Sequence, residues 1–84
     1  MQLIPFTEAH YDLLIRWIPD QEFNYLWGGR AYHWPLDAEQ ISRHVTDEGV
    51  YPFLFLEQGE PAGFIELVQT KKRKFRICRV LVAQ

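Results

Sequence analysis

Residues 75–84 read FRICRVLVAQ, and this stretch decides how the chain is read. Its second half is apolar, and its arginines sit near its beginning. Period-two counting places Phe75, Ile77, Arg79 and Leu81 on one face and Arg76, Cys78, Val80 and Val82 on the other. A strand of this kind at a sheet edge offers its N–H and C=O groups to any partner, and natural proteins blunt or cover such edges. The expectation is that this strand pairs with a second copy or with further polypeptide, the chain being the front part of a larger fold.

Working back from that strand, the basic run KKRK at 71–74 reads as a turn after a strand at 63–70, GFIELVQT. YPFLFLEQ at 51–58 reads as a third strand, joined to it by the glycine-flanked connection EQGEPAG. The three most simply form an antiparallel meander. LIPF at 3–6 reads as an opening strand, and Pro5, with no N–H to donate, points to a sheet edge or a strand end. Thr7 is placed to cap a helix that begins at Glu8. Tyr11, Leu14, Ile15 and Ile18 then recur at helical spacing until Pro19 ends it. Residues 19–36 show the least regular pattern. Asp37 is an N-cap for a second helix from Ala38 to Thr46, with Ile41 and Val45 facing inward. The predicted order is β-α-α-β-β-β, an α+β fold in a single domain spanning 1–84.

The chain has 84 residues and a formal net charge of -2. Residues 1–60 carry ten acids against three Lys/Arg, and residues 61–84 carry one acid against six. Most of the basic excess is KKRK, read either as a solvated hairpin tip or as a contact for phosphate groups. No nucleic-acid motif accompanies it, so a nucleic-acid partner is not expected. One cysteine, Cys78, makes no internal disulfide, which suits a reducing, cytoplasmic setting. No signal peptide and no membrane span are read in the sequence. His10, His33 and His44 show no metal-ligand spacing, and no metal is expected.

The phrases LIPFTEAHYDLLIRWIPD, PLDAEQISRHV, PFLFLEQGEPAGFIELVQT and FRICRVLVAQ follow one another in an order that resembles the N-terminal half of the GCN5-related N-acetyltransferases. The likeness is closest to the branch with ribosomal-protein and aminoglycoside acetyltransferases. It implies acetyl transfer from acetyl-CoA to an amine, carried by a small molecule or a protein. It also implies that the main chain at Val80, Leu81 and Val82 pairs with the pantetheine arm, unless these are ordinary strand residues. In that family a glycine-rich loop and a helix follow this strand and hold the pyrophosphate, whereas this sequence ends at Ala83-Gln84. The resemblance therefore implies acetyl-CoA as the cofactor of the full family fold, and a chain that alone is inactive and without cofactor.

The resemblance also makes the loop between the helices an acceptor-side wall. Tyr25, Trp27, Tyr32, His33 and Trp34 can supply it, or can form a hydrophobic cluster that holds the loop down. Acetyl transfer needs a proton acceptor for the amine. Glu66, mid-strand, is one candidate, with an ion pair to Arg76 or Arg79 as its alternative role. His33 is the other candidate, with a loop hydrogen-bonding role as its alternative. Cys78 reads as a small buried filler rather than a nucleophile. The competing reading is a non-catalytic interaction module that dimerises or binds a partner by strand addition along 75–83. A nucleic-acid binder using KKRK, with salt-dependent affinity, is a third.

Overall fold

A computed structural model describes residues 1–83, so Gln84, the last residue of the opening stretch, lies outside the described residues. Four strands, β1 (Gln2–Pro5), β2 (Val50–Glu57), β3 (Glu60–Lys71) and β4 (Lys74–Val82), form one antiparallel sheet in the order β1-β2-β3-β4. A 3-10 turn at Glu8–His10 leads into α1 (Tyr11–Trp17), followed by α2 (Gln21–Gly28) and α3 (Ala38–Val45). The fold is α+β, and β2-β3-β4 is an antiparallel meander, as the sequence predicts. No helix among the described residues is long and apolar enough to cross a membrane.

The helices differ from the expected pair. The first turn after Thr7 is 3-10, because His10 Nδ1 accepts the Thr7 N–H at 3.0 Å and the His10 N–H returns to the Thr7 carbonyl. Part of the irregular segment is α2. Asp20 caps it, accepting the Phe23 N–H at 2.8 Å, and Glu22 lies in its first turn, where negative charge suits the helix dipole. Asp37 caps α3 in the same manner, through the Gln40 N–H at 2.9 Å.

Both hairpins are tight. Gln58 and Gly59 join β2 to β3, both with positive φ, which matches the right-handed strand twist. Lys72 and Arg73 join β3 to β4, so the KKRK run is an exposed hairpin tip. β1 and β4 are the sheet edges, and Pro5 closes β1.

The core lies between the helices and one sheet face. Ile4, Leu54, Phe64 and Leu81 stand in one row across the four strands. Leu14, Ile41, Tyr32 and Phe6 pack on them from above. The opposite face carries Leu3, Phe53, Phe55, Ile65, Leu67, Ile77 and Val82, none of them fully buried.

The expected faces of β4 need correction. Phe64 pairs with Leu81, yet Glu66 pairs with Cys78, so Arg79 and Val80 both oppose Ile65. This is a β-bulge, with Arg79 in the left-handed region at φ 51. It shifts the side-chain phase by one residue. Cys78 and Leu81 therefore share the helix-covered face, while Phe75 and Ile77 lie on the other. Cys78 is only partly buried, and the filler role expected for it is correspondingly partial.

Gly63 on β3 pairs with Phe55 of β2 and with Val82 of β4. A Cβ there would run into the Phe55 ring and the Leu81 carbonyl. Since one obstacle is backbone, no rotamer change relieves it. Gly63→Ala is expected to destabilise the fold by about 3 kcal/mol, read as a lower urea midpoint. A midpoint equal to the parent's would show that β3 and β4 are spaced more widely than described.

Candidate functional site

The only side-chain ion pairs among the described residues converge on one carboxylate, that of Glu66 on β3. Period-two alternation from Phe64 places Glu66 on the covered face, where it is fully buried. His44 Nε2, from the last turn of α3, lies 2.9 Å from Glu66 Oε1. Arg79 NH1, from the bulge of β4, lies 2.5 Å from the same oxygen. Three elements are thus joined at one atom. The ion pair left open in sequence between Arg76 and Arg79 is made by Arg79. Glu66 Oε2 is buried with no partner among the described residues.

The bulge is fixed from both directions. Arg79 Nε donates to the Gly28 carbonyl at the end of α2, at 3.3 Å. The Trp27 indole Nε1 donates to the Arg79 carbonyl at 3.1 Å. Trp27 stacks flat on Tyr32, with ring centroids 5.4 Å apart, and Tyr32 meets His44 edge-on at 5.2 Å. Burial pushes the Tyr32 hydroxyl well above the usual phenol range; the Glu66 carboxylate adds to this and Arg79 opposes it. That hydroxyl has no partner among the described residues.

The residues singled out in sequence separate into three groups. Tyr32 is a core residue, and Trp27 is half-buried against the bulge. Tyr25 and Trp34 are exposed together, the Tyr25 hydroxyl accepting the Trp34 N–H at 3.2 Å. His33 is exposed and its N–H donates to Gln40 Oε1 at 2.6 Å. It lines an open cleft of about 730 Å³ with Gln40, Arg43, His44 and Asp47. On β4, Leu81 is buried in the core, whereas Val80 and Val82 are 52% and 62% exposed. Ala83 donates to the Ala62 carbonyl at 2.8 Å, so by antiparallel alternation Val82 turns its own N–H and C=O away from β3. Smaller clefts line this free edge, with Phe23, Leu26 and Trp27 of α2 on one side and Arg79 and Val80 on the other.

His44 is the residue that sequence reading missed. Its signal was present, since it stands three residues after Ile41 and so shares the inward face of α3. The searched family models and curated proteins hold no match to this chain.

Two outcomes follow from the buried carboxylate and its neighbour. Arg79→Met should destabilise the fold by roughly 3–5 kcal/mol, because it leaves a buried charge short of its partner. Urea unfolding measures it, and a loss within error of zero would mean that Glu66 is not held as a charge. The raised Tyr32 hydroxyl keeps its proton when folded and loses it near the ordinary phenol range when unfolded. The unfolded state then binds fewer protons, and stability falls with rising pH from that range upward, by about 1.4 kcal/mol per pH unit. Tyr32→Phe should remove this share of the alkaline loss while leaving neutral-pH stability little changed. An unaltered alkaline slope would contradict it.

Proposed function

We propose that this chain forms the strand-and-helix half of an acetyltransferase-like site, transferring acetyl from acetyl-CoA to an amine. The observation that carries the reading is the bulge at Arg79–Val80 on an edge strand. Bulges at sheet edges and beside active sites re-aim side chains and end regular pairing. Here the bulge sends the Arg79 side chain inward to Glu66 and leaves the outward main chain of Val82 free beside a groove. An amide-bearing arm such as pantetheine can add to such an edge as a strand does. A thioester laid there would bring its carbonyl to the bulge, next to the Glu66–His44–Arg79 cluster. The element order β-α-α-β-β-β, with α2 added, is in keeping with a GCN5-related fold. The setting proposed is cytoplasmic, with Cys78 reduced.

The test is an amide spectrum of the 84-residue chain titrated with acetyl-CoA into the millimolar range. Shifts confined to Val80–Val82 and the Trp27 indole support the reading. A spectrum unchanged throughout refutes it.

A second reading has its own support. The β4 edge is open, and two valines beside it are more than half exposed. This suits strand addition by a second copy or a protein partner. Shifts at the same amides that grow with protein concentration, and not with acetyl-CoA, belong to this reading. Sedimentation of Val80→Lys then decides it, since a dimer that persists places the interface elsewhere.

A further inference from the structure

We infer that His44, through Nδ1, is the proton acceptor of this site and that Glu66 is a positioning residue behind it. The substrate class, a primary amine arriving as its ammonium, rests on the acyl-transfer reading above. Glu66 is fully buried, so a ligand in the cleft meets other groups first. His44 is such a group: its side chain is 16% exposed and forms part of the wall of the open cleft.

The hydrogen-bond chemistry fixes the imidazole. The Arg79 guanidinium has only donors, so Glu66 Oε1 accepts from it. His44 Nε2 meets the same oxygen and therefore donates as well. In the neutral ring the lone pair then stands on Nδ1, which has no protein partner among the described residues. Tyr32 packs edge-on against the ring and holds its plane. A base oriented from behind by a third group is the arrangement that acid–base chemistry requires. The charged and titratable groups around His44 are Glu66 from β3, Arg79 from β4, Tyr32 and His33 from the loop, Arg43 from α3, and Asp47 after it. Glu66 Oε2 carries no donor among the described residues, so the carboxylate meets the ring through Oε1 alone.

The step balances without a further reactant. The ammonium gives one proton to Nδ1 and becomes a neutral amine. Its nitrogen attacks the thioester carbon, the C–N bond forms, and the C–S bond breaks. The second N–H proton goes to the leaving thiolate, giving the CoA thiol. The imidazolium returns its proton to solvent.

The test uses the 84-residue chain labelled with 15N at histidine. Two-bond proton–nitrogen spectra at neutral pH are expected to show His44 protonated at Nε2 with a bare Nδ1. Glu66→Leu, which removes the oxygen that Nε2 donates to, should raise the Nδ1–H tautomer of His44 and leave His33 unchanged. An Nδ1–H tautomer in the parent overturns the inference. So does an imidazolium that persists through the mildly alkaline range, or a tautomer ratio indifferent to Glu66→Leu. Acetyl transfer from acetyl-CoA to benzylamine supplies a second readout. His44→Gln keeps a donor for Glu66, and should lower kcat about 100-fold with little change in KM. Transfer that is undiminished in His44→Gln overturns the role of His44 and leaves the acyl-transfer reading standing. If no transfer occurs and acetyl-CoA leaves Val80–Val82 untouched, the acyl-transfer reading fails, while a bare Nδ1 still supports His44 as the acceptor of the cleft.

Discussion

The buried carboxylate of Glu66 is the constraint around which the rest of the structure is arranged. A charge beneath the helices, shut off from bulk solvent, is tolerated only if donors reach it. Arg79 reaches it because β4 bulges, and the bulge in turn puts a non-glycine residue at φ 51. Such a backbone costs on the order of 1–3 kcal/mol and persists where its surroundings over-determine it. Charge-assisted hydrogen bonds of about 1.5–3 kcal/mol each are of the size needed to offset that strain. One acid on β3 thereby goes with the shape of β4, the phase of its side chains and the position of its free edge.

The helices serve the same arrangement. α2 ends at Gly28, whose carbonyl accepts from Arg79, while Trp27 donates to the carbonyl of that same arginine. A helix C-terminus presents carbonyl groups with partial negative charge, so a guanidinium is a fitting partner there. α3 contributes His44 from the opposite side. The stack of Trp27 on Tyr32, with His44 edge-on, fills the space between the two helices with flat rings. The polar cluster is therefore walled by packed aromatic rings.

Element type was legible wherever one periodicity ran unbroken. Asp37 with Ile41 and Val45 gives α3, and the alternation through Phe64, Glu66 and Val68 gives the covered face of β3. The α2 helix was obscured by its composition. Tyr25, Trp27 and the Gly28–Gly29 pair draw attention to a loop, although Pro19, Asp20 and Glu22 form a helix start. The faces of β4 were illegible past Cys78, since a bulge at arginine leaves no glycine to announce it. Of the site, Glu66 and an arginine partner were visible from cross-strand reasoning. His44 was harder to read, because its spacing from Ile41 turns it inward without naming Glu66, 22 residues away on another element, as its partner.

Among the described residues, the helices roof one side of the sheet only. Its other side presents Phe53, Phe55, Ile65 and Leu67 in adjoining strands, with no helix upon them. Layered folds bury each sheet face against another layer, and apolar area left wet is driven together with a force that weakens on cooling. Whatever part of this floor meets water is therefore drawn to apolar surfaces more strongly in warm solution than in cold, the reverse of the ordinary weakening of a polar contact.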